Sequence, residues 1–212
     1  MQKVREGKPT QPLLRLSQPR PRWSNRPWPM GPLKVMSDRP APTLLLTSAD
    51  VARHVSDLAK QIAPEISDDT VVVCLLTGGI WFAADMTRAL SDLGRNPLFD
   101  ALWLSSYGDE TRSSGSVRVQ AGLQRPVTGR QVLLLDDVFD TGLSLCEAVR
   151  IVKEAGAAEV LSAVFARKPW PTPRAMEPDF VAWEAPARFL VGYGMDDAGR
   201  LRGLSGIGAL DA

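Results

Sequence analysis

Two regimes of hydrophobic and polar patterning divide the chain near Thr47. From there, apolar positions recur with periods that predict regular elements. Thr47 or Ser48 caps a helix running to about Ala63, with Val51, Val55, Leu58 and Ile62 on one face. Val71 to Leu76 is an unbroken apolar run, short enough for a strand buried on both faces. Thr77-Gly78-Gly79 interrupts it, and a second helix extends to about Leu93. Phe99 to Ser106 predicts another strand, followed by a polar loop, Tyr107 to Ser116, and a short strand, Val117 to Ala121. Val132 to Leu135 is a third apolar strand; a turn then opens a helix to about Glu154, and Val160 to Ala166 is a fourth buried strand. Strands alternating with helices predict an α/β fold, a central, mostly parallel sheet flanked by helices. Beyond Lys168, prolines at 169, 171, 173, 178 and 186 break the pattern, which predicts a small C-terminal hood over roughly residues 168–205 of a domain spanning 43–212.

Residues 1–42 follow other rules. They cluster Pro and Arg (Pro19, Arg20, Pro21, Arg22, Arg26, Pro27, Pro29, Pro32) with almost no acidic residue, a composition that predicts a disordered tail. The tail is Arg-rich and acid-poor like a transit peptide but lacks the amphipathic, Ser-rich pattern. Alternatively, Met36 is the true start, a question for intact-mass measurement.

Composition sharpens the picture only a little. The 212 residues are 44% hydrophobic and 23% charged, as expected for a globular chain of one domain. A formal net charge of +1 gives no general electrostatic attraction to nucleic acid or to a membrane surface, so anion handling has to be local. No apolar run approaches the ~20 residues of a membrane span. Cys74 and Cys146 sit among apolar residues without metal-ligand spacing and read as buried thiols of a reducing cytoplasm. His54, on the first helix, reads as a surface residue with no partner for zinc.

One segment carries chemistry: Leu133-Leu134-Leu135-Asp136-Asp137-Val138-Phe139-Asp140-Thr141-Gly142-Leu143-Ser144. A hydrophobic strand delivers two carboxylates to its C-terminal end, where open α/β sheets bind ligands. The turn after them places free amides, the hydroxyls of Thr141 and Ser144 and a helix dipole together, which is a cradle for phosphate. Asp136 and Asp137 are suited to accept hydrogen bonds from a vicinal diol. Phosphate cradle and diol clamp side by side describe a ribose 5-phosphate site.

This segment resembles the signature of type I phosphoribosyltransferases, and the chain from Thr47 onward resembles their hypoxanthine-guanine branch. Leu75-Leu76-Thr77-Gly78-Gly79 is similar to the family's pyrophosphate loop, and Ser105 to Gly115 to its catalytic lid, with Ser106 and Tyr107 over the reacting centre. Arg167-Lys168-Pro169 is similar to the segment that sets a lysine against the purine. Pro178-Asp179-Phe180-Val181 and Phe189-Leu190-Val191-Gly192-Tyr193-Gly194-Met195-Asp196 are similar to the hood. The resemblance implies the type I fold and transfer of phosphoribosyl from 5-phosphoribosyl 1-diphosphate to a 6-oxopurine, with Mg²⁺. It implies the following roles. Asp140 faces N7 of the purine as general acid–base; Lys168 donates to the C6 oxygen; Phe189 stacks on the base and the Leu190 backbone meets its edge. Asp136, Asp137, Asp140, Thr141, Gly142, Leu143 and Ser144 hold the ribose phosphate. Thr77, Gly78, Gly79 and Arg202 hold pyrophosphate. Asp136, Asp137 and Asp196 hold the metal, and Asp196 also belongs to the purine-binding set with Lys168, Phe189 and Leu190. A cytoplasmic homodimer or homotetramer is implied too.

Departures from the family pattern are local. Thr77 stands where the family often carries a basic residue. Pro169-Trp170-Pro171-Thr172-Pro173 is richer in proline and tryptophan, and Asp197-Ala198-Gly199-Arg200 lacks the aromatic residue often found after the metal aspartate. Plain alternatives exist for each residue: Asp136 and Asp137 as mere helix caps, Lys168 as a solvated lysine, Phe189 and Tyr193 as core aromatics. Asp136-Asp137-Val138-Phe139-Asp140 also fits the DDxxD spacing of prenyl diphosphate synthases, which need an all-helical cavity. Two further readings are a non-catalytic nucleotide-sensing regulator and a relative acting on xanthine or another base.

Overall fold

The computed structural model describes residues 41–106 and 117–210. The tail before them and the loop containing Tyr107 lie outside the described residues. In chain order the elements are β1 (Thr43–Leu46), α1 (Ser48–Ile62), β2 (Val71–Leu76), α2 (Ile80–Asp92), β3 (Leu98–Ser106), β4 (Val117–Ala121), β5 (Gln131–Phe139), α3 (Leu143–Glu154), β6 (Glu159–Arg167), β7 (Phe180–Glu184), β8 (Phe189–Val191) and β9 (Ile207–Leu210).

The main sheet has six strands in the order β4-β3-β2-β5-β6-β7, parallel except for the edge strand β4. Strands β2, β5 and β6 are the apolar runs of the sequence, and their centres are wholly buried. Their side chains alternate between two cores. Val72, Cys74, Leu133 and Leu135 pack with α1 and α2 around Phe82 and Phe165. Val71, Val73, Val132 and Leu134 pack with α3 around Leu145 and Val152. Full burial of each large apolar side chain contributes about 1.5–3 kcal/mol. Helix α1 begins at a capping box. Asp50 N–H donates to Thr47 Oγ1 at 3.2 Å, and Thr47 N–H donates back to Asp50 at 3.1 Å.

Three differences from the sequence reading follow from long-range pairing. β5 does not stop at Leu135 but continues to Phe139, because β6 pairs with it as far as Phe139↔Arg167. Residues 168–205 divide between layers: Phe180–Glu184 extends the main sheet beside β6, tied by Ser162 Oγ donating to Asp179 at 2.7 Å. Phe189–Val191 instead joins a separate antiparallel sheet of order β1-β9-β8. Strands β1 and β9 carry no alternation of their own and exist through each other.

Two smaller expectations are corrected. His54 is partly buried, its ring edge-on to Phe165 at 6.2 Å between centroids. Cys146 is only half-buried, whereas Cys74 is fully so.

Candidate active site

The order of the parallel strands reverses between β2 and β5, since β3 lies to one side of β2 and β6 to the far side of β5. Chains leaving the two strands therefore turn away from each other and open a crevice at their C-terminal ends. β2 and β5 stay paired only to Cys74↔Leu135. Past that point β2 turns into Thr77-Gly78-Gly79, while β5 runs on beside β6 and carries Asp136 and Asp137 along the crevice wall. The Leu76–Thr77 peptide bond is cis. Gly78 touches Asp137 so closely that a Cβ there would lie 1.9 Å from the carboxylate oxygen. Two segments far apart in sequence, the loop expected to hold pyrophosphate and the pair expected to clamp the diol, thus form one wall.

Asp136 and Asp137 do not cap α3, which removes the plain alternative for them. Each turns back on the strand instead: Asp137 N–H donates to Asp136 Oδ1 at 3.1 Å, and Val138 N–H to Asp137 Oδ1 at 2.9 Å. Burial pushes the Asp136 carboxyl well above the usual carboxylate range, and the negative charge of Asp137 adds to the effect. Burial also raises Asp137, against hydrogen bonds and the positive charge of Arg202, which lower it. Below them, burial and the same two carboxylates push the Cys74 thiol up to about 12. Two acids held together under partial burial favour whatever brings positive charge or hydroxyl donors.

The turn that follows is open to solvent at Thr141, Leu143 and Ser144. Gly142 caps α3 in the left-handed region, with φ 82°, and a Cβ there would press 3.0 Å from the Phe139 ring. Gly142 offers no side-chain cap, so apart from Leu143 N–H no cap is seen for the first amides of α3 among the described residues. The Thr141 hydroxyl accepts from Leu143 N–H at 3.3 Å.

Asp140 and Lys168 meet at the ends of β5 and β6. Lys168 Nζ lies 3.3 Å from Asp140 Oδ2, and the lysine side chain is only 17% exposed, unlike a solvated surface lysine. Phe189 is half-exposed at the start of β8, available for stacking, whereas the Leu190 side chain is in the core. Tyr193 is a core aromatic: its ring meets Phe165 edge-on at 4.9 Å and its hydroxyl donates to Asp85 at 3.0 Å. That tie lays the following turn on the loop after β2, where a Cβ on Gly194 would lie 2.1 Å from the Gly78 carbonyl oxygen. Arg202 donates to the Gly194 carbonyl at 2.5 Å and pairs with Asp196 at 2.7 Å. Asp196 also accepts from Gly199 N–H at 2.5 Å. Ser106 ends β3, and its neighbour Tyr107 lies outside the described residues.

The structure thus brings together Gly78 with Asp137 and Gly194, Arg202 with Gly194 and Asp196, and, separately, Asp140 with Lys168. Sequence reasoning missed two contributors. Arg174, under the turn after β5, sits among prolines with no periodicity to reveal it. Asp85 is an ordinary surface position of α2 until Tyr193 reaches it. The carboxylates present suit a hard cation. The described residues hold no group of three or more metal-ligating side chains, so such a cation would share its coordination between one or two of them and the substrate's oxygens. No described helix is long and apolar enough to cross a membrane.

Residues 45–198 match the family model of the phosphoribosyl transferase domain, which gives the class: an α/β phosphoribosyltransferase. The hypoxanthine-guanine phosphoribosyltransferase of Mycobacterium avium is 34% identical over 166 residues, 77% of this chain and 79% of that one. The enzyme of the same name from Aquifex aeolicus is 37% identical over 155 residues, 72% of this chain and 85% of that one. A solved hypoxanthine phosphoribosyl transferase of Trypanosoma cruzi superposes with a TM-score of 0.74 at 27% identity, covering 80% of this chain and 91% of that one. The chain belongs to the hypoxanthine-guanine phosphoribosyltransferase family. The all-helical alternative suggested by the aspartate spacing is excluded by the α/β fold.

Proposed function

We propose that this chain is a purine salvage enzyme that transfers phosphoribosyl from 5-phosphoribosyl 1-diphosphate to a 6-oxopurine, hypoxanthine and guanine, and releases pyrophosphate. The supporting observation is the contact of Gly78 with Asp137 at the strand-order reversal, which sets the loop after β2 against the carboxylate pair.

On this reading the amides of α3's first turn, with Thr141 and Ser144, hold the 5-phosphate, and Asp136 and Asp137 accept from the ribose hydroxyls. Carbon 1 of the ribose gains positive character as pyrophosphate leaves. The Gly78 amide and Arg202 stabilise the departing oxygens, since Gly79 N–H is already donated to the Leu75 carbonyl at 3.1 Å, and Thr77 makes that grip depend on backbone donors. Asp140 takes or shares the N7 proton as the new bond forms. Lys168, held at Asp140, donates to the C6 oxygen, a contact that adenine's amino group cannot accept. Phe189 stacks on the base and the Leu190 backbone meets its edge. Asp196, or alternatively Asp136 with Asp137, would hold Mg²⁺ together with the substrate's oxygens, and the ion would supply positive charge to the leaving group. Ser106 and Tyr107, assigned to the catalytic lid, serve to exclude water from the reacting centre. A cytoplasmic homodimer or homotetramer completes the proposal.

A substrate panel tests it: 5-phosphoribosyl 1-diphosphate and Mg²⁺ with hypoxanthine, guanine, xanthine, adenine or uracil, followed by pyrophosphate release. Turnover is expected with hypoxanthine and guanine and little with adenine or uracil. Activity confined to xanthine would move the base assignment, activity confined to adenine or uracil would remove it, and none at all would favour the nucleotide-sensing regulator.

A further inference from the structure

We propose that Arg174 is a positioning residue for the transfer: one buried guanidinium holds the backbones of Asp140 and Lys168 and thereby sets their side chains against the base. The inference rests on the roles proposed above for those two residues.

The last backbone bond between β5 and β6 runs from Lys168 N–H to the Phe139 carbonyl, at 3.0 Å. Past it the two chains separate, one into the turn before α3 and the other into Pro169-Trp170-Pro171-Thr172-Pro173. Three prolines remove three amide donors from that stretch, so it has little means of continuing a ladder or tying its own carbonyls. Arg174 substitutes for the ladder. Its Nε donates to the Asp140 carbonyl at 2.7 Å, and its Nη2 donates to the Lys168 carbonyl. Its Nη1 donates to Glu177 at 3.0 Å, and Glu177 in turn accepts from Arg167 Nη1 at 3.2 Å. The guanidinium carbon lies 4.7 Å from the centre of the Phe139 ring.

The side chain is only 7% exposed. Burying an arginine there is costly, and an apolar residue would fill the space at less expense in free energy. What an apolar residue cannot do is hold two diverging carbonyls at fixed spacing. A planar fork with five donors does so; a lysine ammonium, a point donor on a flexible stem, can take one and lose the other. The two carbonyls belong to the residues whose side chains pair across the site at 3.3 Å, so the spacing the fork sets is the spacing of that pair.

The experiment compares wild type with Arg174→Lys and Arg174→Ala in steady-state transfer to hypoxanthine, direct binding of 5-phosphoribosyl 1-diphosphate, and thermal unfolding. Misplacing reacting groups by about 1 Å lowers rates by up to about 10²-fold, so Arg174→Ala should lose roughly that in kcat, and Arg174→Lys about tenfold. KM for the purine should rise. Affinity for 5-phosphoribosyl 1-diphosphate should fall much less than kcat, because its diol and pyrophosphate contacts lie away from Arg174 and only the start of the phosphate turn adjoins Asp140. Millimolar guanidinium should restore part of the Arg174→Ala rate. If Arg174→Ala fails to fold, Arg174→Lys carries the test, since it keeps the charge and most of the volume. Folded variants with kcat within twofold of wild type would overturn the proposal, as would equal loss of rate and of diphosphate-sugar affinity without guanidinium rescue. A wild type inactive on every base would instead overturn the functional reading, and this inference with it.

Discussion

Replacing Gly78 by alanine perturbs the crevice at its narrowest point. The added Cβ would lie 1.9 Å from Asp137 Oδ2, 2.5 Å from its Cγ and 2.8 Å from Oδ1, whereas real Cβ contacts essentially never fall below 3.0 Å. The Asp137 carboxylate or the loop must therefore retreat by more than 1 Å. If the carboxylate moves, it gives up the bond from Val138 N–H, 2.9 Å long, a contact to a charged group worth about 1.5–3 kcal/mol. If the loop moves, the amides of Gly78 and Gly79 leave their place, and Gly194, packed on the Gly78 carbonyl, moves with them. Either way a group assigned to the diol or to pyrophosphate is displaced by about the amount that costs 10²-fold in rate, or ~2.7 kcal/mol of transition-state stabilisation. The assay is kcat/KM for 5-phosphoribosyl 1-diphosphate, measured beside Gly122→Ala. Among the described residues, no atom lies within 4 Å of where a Cβ on Gly122 would stand, and its backbone is open to any residue, so that variant should match wild type. Gly78→Ala within twofold of wild type would refute the reasoning, because the clash is a matter of geometry.

Two further predictions concern the acids. Asp140→Asn should lower turnover by about 10²-fold or more in single-turnover transfer, the range for a lost acid–base group; an unchanged rate would place that role elsewhere. Asp136→Asn should abolish most activity yet make the ligand-free protein less sensitive to alkali. Burial raises the Asp136 and Asp137 carboxyls, so between the ordinary aspartate pKa and their raised values the folded state binds more protons than the unfolded state. Unfolding free energy then falls as pH rises through that window, and the contribution is complete below it. The difference in Tm between Asp136→Asn and wild type should grow as pH rises above the ordinary aspartate range; a constant difference would contradict the electrostatic account.

What was legible in the sequence was what local chemistry determines. Val71–Leu76 and Val132–Leu135 read as strands because both of their faces are buried, and Thr47 or Ser48 read as a helix start because a side-chain cap is a short-range device. Asp136 to Ser144 read as a sugar-phosphate segment because each residue type has a simple reason for its place. What was not legible depends on partners distant in sequence. β1 and β9 pair across nearly the whole domain, and the last residues of β5 are strand only because β6 runs beside them. The contact of Gly78 with Asp137 joins two motifs whose proximity neither one announces. Arg174 looks like a loop arginine until two carbonyls and a phenyl ring are found around it.

The decisive measurement is a structure with a 6-oxopurine ribonucleoside 5′-monophosphate bound. The phosphate is expected on the amides of residues 141–145, the ribose hydroxyls on Asp136 and Asp137, and the base between Phe189 and the Lys168 ammonium. A nucleotide lodged elsewhere, with the turn before α3 bare and its amides bonded within the protein, would contradict it.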